Sequence, residues 1–132
     1  MTLMDTCAIV WGALEPSILT PQAVDAIDKA DRNHTLMISD ISIWEISMLI
    51  KKRKIEVDTS ASNLINLFLQ SRNIKVQSIT PEIAELSVNL GPQINKHLAD
   101  RLIAATAIVY NANLVTADQN LIDSGLLSII WR

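Results

Sequence analysis

Glycine is scarce: Gly12, Gly91 and Gly125 are the whole supply in 132 residues. Neither a GxGxxG dinucleotide loop nor a GxxxxGK[ST] phosphate loop can be written with them. Together with only four prolines, this excludes collagen-like and linker-like chains. A single cysteine, Cys7, excludes a disulfide framework and a CxxC zinc site. The two histidines, His34 and His97, lie far apart and form no HExxH pattern, so a metal ion would have to be held by oxygen. Positive charge is in deficit, 11 Lys and Arg against 14 Asp and Glu, for a net charge of −3. Affinity for phosphate must then come from a local patch or a bound cation, since a plain electrostatic binder of nucleic acid is basic. The cleanest apolar stretch, residues 102–110, is about half the ~20 residues of a bilayer span. No positively charged leader precedes Asp5. The expectation is a protein of a reducing cytoplasm with no membrane association.

Apolar residues make up 49% and charged residues 19%, the balance of a folded chain. The length and the lack of a linker indicate a single domain over residues 1–132. Short apolar runs alternate with helical segments. Strands are expected at 2–4, 35–39, 74–79, 114–116 and 127–130. Helices are expected from Thr6, over 21–31, 40–52, from a cap at 58–60 to about 72, from 81 to Gly91, and over 98–111. Thr20-Pro21 and Thr80-Pro81 are start signals, a capping hydroxyl followed by proline in the first turn. Strand and helix in alternation predict an α/β fold, a central parallel sheet of four to five strands with helices on both faces. Such sheets place ligands at the carboxyl ends of their strands.

Four acidic residues stand out by position. Asp5 directly follows the first strand, and Asp118 follows the strand LVT. Each could be a helix N-cap, and each is also a strand-tip carboxylate. Glu45 stacks with Ile41 and Leu49 at i, i+4 spacing, so the pattern sets a charge in an apolar ridge. A capping box from Ser42 is the alternative, but a helix starting at Ser39 or Asp40 puts Glu45 too deep for one. Asp100 opens the most apolar helix, where the helix dipole alone would favour it. A parallel sheet can bring all four to one edge. Such a cluster repels itself and requires a counter-charge, and oxygen ligation suits Mg²⁺ or Mn²⁺.

At these residues the chain resembles the PIN-domain ribonucleases, specifically the VapC-like toxins of type II toxin–antitoxin pairs. LMDTCAIVW is similar to the family's opening motif, ISDISIWEISMLIKKRKIEV to its second block, and HLADRLIAATAIVYNANLVTADQNL to its third and fourth acidic motifs joined. The likeness implies a PIN-like fold, with the metal-binding and catalytic acids at Asp5, Glu45, Asp100 and Asp118. It places Ser39 and Thr116 beside the site as supporting hydrogen-bond partners. It further implies an Mg²⁺- or Mn²⁺-dependent endoribonuclease, a dimer, neutralised by a small antitoxin protein. Two departures are visible. Relatives often carry histidine where Cys7 stands, and the segment His97-Leu98-Ala99-Asp100-Arg101 lacks the extra aspartate and proline of many relatives.

Lys51-Lys52-Arg53-Lys54 is either a solvated helix end or a patch for RNA phosphates, and Arg101 either pairs with a carboxylate or touches a phosphate. Trp11, Trp44 and Trp131 read as core or dimer contacts. A mean hydropathy of +0.27 favours a second copy or an antitoxin helix covering apolar surface. Beside the nuclease stands one alternative, a catalytically weak binding module of the same fold that holds RNA or a protein partner. A phosphoaspartyl enzyme is disfavoured, because Cys7 occupies the place of the second aspartate its nucleophile motif requires.

Overall fold

The computed structural model describes all residues, Met1–Arg132. Five parallel strands, β1 (Thr2–Met4), β2 (Leu36–Ser39), β3 (Ile74–Gln77), β4 (Asn113–Val115) and β5 (Ser128–Ile130), form one sheet in the order β3-β2-β1-β4-β5. The chain runs outward from β1 to β2 and β3, then returns to β1's other side for β4 and β5. The order therefore reverses at β1. Leu3 pairs in register with Met37 on one side and Leu114 on the other. These three side chains share one face with Ile103, Ala104 and Ala107, while Met4, Leu36, Ile38 and Val115 point to the opposite face with Ile9, Ile27 and Ile46. Both faces of the three inner strands are thus buried, which is why those strands read as unbroken apolar runs.

Seven α-helices cover the sheet: α1 (Thr6–Leu14), α2 (Pro21–Arg32), α3 (Asp40–Lys51), α4 (Ala61–Ser71), α5 (Pro81–Asn89), α6 (Leu98–Val109) and α7 (Gln119–Asp123). Their starts follow local chemistry. Thr20 and Thr80 accept from the backbone N–H groups of Ala23 and Ile83, with proline at the first helical position. Ser60, the last residue of the predicted cap segment, caps α4. Helix α6 buries seven of its residues, among them Ala104, Ala105 and Ala107, whose small side chains let it lie close to the sheet.

The structure differs from the sequence reading in three respects. A turn of 3₁₀ helix at Pro16–Ile18 follows α1. Lys75 and Val76 of β3 are exposed, because β3 is an edge strand with one neighbour. Of the ridge Ile41, Glu45, Leu49, only Ile41 packs against the core. Ser42 and Ile46 are the buried positions of α3, and Glu45 is half-buried.

Candidate active site

Asp5 leaves the tip of the central strand and is 6% exposed. One carboxylate oxygen, Oδ1, accepts from Ala8 N at 2.8 Å and so caps α1. The other, Oδ2, accepts the hydroxyl of Thr116. Thr116 Oγ1 in turn accepts from Asp118 N at 3.0 Å, so one buried hydroxyl links the tips of β1 and β4. Asp118 caps α7, with Oδ1 accepting from Leu121 N at 3.0 Å. Cap and cleft wall are therefore not alternatives: Asp118 caps through one oxygen and keeps the other, while at Asp5, whose two oxygens both accept, each oxygen retains a further lone pair. Glu45 lies in the second turn of α3, whose N-cap is Ser39, and receives no hydrogen bond. Asp100, in the first turn of α6, accepts from Asn95 Nδ2 at 2.9 Å.

These four acids line one cleft of about 290 Å³, with Thr6, Cys7 and Trp11 beside them and no lysine or arginine. Burial, above all, and the charges of Asp100 and Asp118 raise the Asp5 carboxyl from 3.8 to about 6, against the lowering pull of Thr116 and Ala8. Cys7 presents surface to solvent, yet partial desolvation and then the charges of Asp5, Glu45, Asp100 and Asp118 push its thiol up to about 12. It is no nucleophile at neutral pH. That one thiol senses all four carboxylates places them in a common field.

No three Asp, Glu, His or Cys side chains are set as a ready-made metal-ligand group. The donor set still fits a hard divalent cation. Its charged groups are oxygen only, and each hydrogen bond the four acids accept comes from a neutral donor: Ala8 N, Thr116 Oγ1, Leu121 N and Asn95 Nδ2. Mg²⁺ keeps several of its waters and takes one or two carboxylates directly, so it suits acids spread around a cleft.

Other sequence candidates lie elsewhere. Ser39 is buried and accepts from Ile41 N at 3.3 Å, so it sets the start of the Glu45 helix instead of touching an acid. Arg101 neither pairs with a carboxylate nor is free for RNA. Its guanidinium donates to the carbonyls of Ser87, Leu90, Ile94 and Asn95, because the last turn of α5 and the loop after it leave those acceptors without strand or helix partners. Lys51, Lys52, Arg53 and Lys54 are all exposed at the far end of α3. Trp44 is 54% exposed, whereas Trp11 and Trp131 pack together with ring centroids 5.8 Å apart. Two contributors escaped sequence reasoning. Thr6 Oγ1 and Ser42 Oγ form a buried contact of 3.0 Å that fastens α1 to α3. Asn95 holds Asp100; its only sequence signal was a polar residue inside a proline- and glycine-marked loop.

The PIN domain family model matches residues 2–125. The chain belongs to the PIN domain family. This PIN domain is 31% identical over 119 residues to Ribonuclease VapC22 of Mycobacterium tuberculosis (strain ATCC 25618 / H37Rv), covering 90% of this chain and 88% of that protein. Its fold is similar to VapBC2 from Rickettsia felis, solved bound to a DNA fragment from their promoter, with a TM-score of 0.73, 18% identity and coverage of 97% and 96% of the two chains. A toxin-antitoxin complex from Klebsiella pneumoniae gives a TM-score of 0.65 at 22% identity, covering 98% of this chain and 95% of that one. FitAcB from Neisseria gonorrhoeae gives 0.66 at 16% identity, with 98% and 96% coverage. No helix of the PIN domain is long and apolar enough to cross a membrane.

Proposed function

We propose that this PIN domain is a metal-dependent endoribonuclease, hydrolysing RNA phosphodiester bonds as the toxin of a toxin–antitoxin pair. The observation that carries the reading is the concentration of negative charge in the cleft: four carboxylates from the β1–α1 junction, α3, α6 and the β4–α7 junction, with no lysine or arginine among the lining residues. The ribonuclease relative and the toxin–antitoxin neighbours support it. Asp5, Glu45, Asp100 and Asp118 would hold Mg²⁺ or Mn²⁺. Such an ion, when bound, offsets phosphate charge and acidifies water.

The chain's own part is orientation. Thr116 and the two helix caps hold Asp5 and Asp118 still. Glu45, free of hydrogen bonds and half-buried, would be the acid that orients the attacking water. No side-chain nucleophile takes part, since the Cys7 thiol stays protonated. The exposed run 51–54 supplies positive charge for flanking RNA phosphates.

An antitoxin segment would cover the apolar groove of about 380 Å³ that Gly12, Val24, Leu64, Leu67 and Phe68 line between α1, α2 and α4. An amphipathic helix is the natural occupant of such a groove. A homodimer working in the cytoplasm completes the reading.

The test is RNA cleavage with millimolar Mg²⁺. Asp5→Asn, Glu45→Gln, Asp100→Asn and Asp118→Asn should each lose on the order of 10²-fold or more, the scale of removing one electrostatic group from a reaction centre. Asp25→Asn and Glu85→Gln, both exposed outside the cleft, should keep full rate. Cleavage by Asp100→Asn at the wild-type rate would remove that residue from the site. RNA binding without cleavage by the wild type would leave the binding-module alternative.

A further inference from the structure

Asn95 lies in the loop between α5 and α6, and every polar atom of its side chain is engaged. Its Nδ2 donates to Asp100 Oδ2 at 2.9 Å and to Asn120 Oδ1 at 3.2 Å. Its Oδ1 accepts from His97 N at 2.8 Å. Its backbone N–H donates to the same Asn120 oxygen at 2.9 Å. Asn120 belongs to α7, two residues beyond Asp118, and its own Nδ2 donates to Gln93 O at 3.0 Å. One amide thus joins the first turn of α6, which bears Asp100, to the short helix that Asp118 caps. Arg101 secures the same loop by donating to Ile94 O and Asn95 O.

Asp100 depends on this amide. His97 Nδ1 stands 3.6 Å from Asp100 Oδ2, outside hydrogen-bond reach, and the histidine side chain is 82% exposed. Asp100 Oδ1 accepts nothing. A carboxylate held by one oxygen and open at the other is set for a ligand, and a neutral donor fixes it without offsetting its charge. Thr116 does the same for Asp5. Partners of this kind, one step removed from the ligand, orient metal-binding side chains and weigh heavily in affinity.

We propose that Asn95 is a positioning residue of the acidic cleft, holding Asp100 toward the ion and in register with the Asp118 element. The inference rests on reading the cleft as a metal-dependent nuclease site.

Mn²⁺ binding followed by electron paramagnetic resonance, together with kcat and KM for RNA cleavage, tests it on the full chain. Asn95→Ala should weaken Mn²⁺ binding ~10-fold or more, the low end for such outer partners. It should lower kcat comparably and leave the KM for RNA within about twofold, since it is not placed to touch RNA. Asn120→Ala removes the three hydrogen bonds that tether the loop to α7 but keeps the Asn95–Asp100 bond. It should lower the Tm yet leave Mn²⁺ affinity within about twofold, the margin that separates tether from orientation.

In an Asp100→Asn background, Asn95→Ala should cost no further Mn²⁺ affinity, because its effect runs through that carboxylate. Should Asn95→Ala not fold, Asn95→Ser, too short to reach Asp100, serves the same comparison. Equal losses in the Asn95 and Asn120 variants would overturn the proposal, as would an undiminished Asn95 effect without Asp100. If the wild type neither bound Mn²⁺ nor cleaved RNA, the nuclease reading would fall and this inference with it. If the wild type did both and Asn95→Ala matched it, only the positioning role would fall.

Discussion

Asp5 shows how one side chain carries both fold and chemistry. Its burial raises the carboxyl from 3.8 to about 6. Between those values the folded chain holds a proton that the unfolded chain releases, so folding takes up a proton and acidification favours the fold. Above about 6 the charged carboxylate destabilises the metal-free protein by on the order of 3 kcal/mol. Asp31 acts in the opposite sense: the backbone N–H of Asn73 and the guanidinium of Arg72 hold its carboxyl below the usual range. That contribution is common to wild type and variant. Asparagine is as good an N-cap as aspartate and leaves the Ala8 bond in place. In chelator at pH 7.5, Asp5→Asn should therefore melt higher than wild type. The difference should shrink as the pH falls to 5, while the Tm of the wild type alone rises. Millimolar Mg²⁺ should raise the wild-type Tm and move the variant far less, by linkage to a folded-state site. Thermal melts over that pH range check all three, and a lower Tm for Asp5→Asn throughout would reduce Asp5 to a cap.

Helix α3 is the element on which structure and proposed substrate contact meet. Ser42, fully buried, fastens it to α1, and Glu45 looks into the cleft. The basic run begins at Lys51, six residues beyond Glu45, or about 9 Å at 1.5 Å per residue. All four of its members stand at or beyond the helix C-terminus, where unpaired carbonyls favour cations whether or not RNA binds. The salt dependence of binding distinguishes these roles. Replacing Lys51, Lys52, Arg53 and Lys54 by glutamine should weaken RNA binding. It should also flatten the plot of log affinity against log salt by about 0.7 for each phosphate no longer neutralised. Metal affinity should stay unchanged. An unaltered slope, measured by fluorescence anisotropy of labelled single-stranded RNA, would assign the run to helix-end solvation alone.

At the scale of the whole molecule, the most open large apolar side chains are Val88 at 78%, Leu98 at 60%, Leu67 at 55% and Trp44 at 54%. Leu67 edges the groove assigned to an antitoxin. The other three lie on α3, α5 and the start of α6, the last of which packs against both α3 and α5, and they suit the proposed homodimer. Val88→Glu combined with Leu98→Glu should convert a two-copy species to one copy in light scattering after size exclusion. The melting temperature at low concentration should change little, since both residues are already exposed. A wild type that is one copy at every concentration would remove the dimer.

Local chemistry by itself determined most of the elements. Proline after a capping threonine starts α2 and α5, and unbroken apolar runs mark the strands of a parallel sheet, because both signals act within a few residues. The positions of Asp5 and Asp118 at strand tips were legible for the same reason. Tertiary structure decided what each side chain meets. Asp118 and Thr116 reach Asp5 only because β4 pairs with β1, more than a hundred residues away in sequence. Arg101 looked available beside Asp100 until the end of α5 and the loop of 90–95 folded over it and offered four carbonyls, one from Ser87 and three from the loop. Glu45 fell between ridge and cleft, since helical spacing defines a face but not what that face opposes. Asn95 gave no periodic or motif signal, and its partners Asp100 and Asn120 come together only when α6 and α7 flank the same loop. Hydrogen bonds between distant segments are set by the packing of the sheet and its helices, which no local pattern encodes.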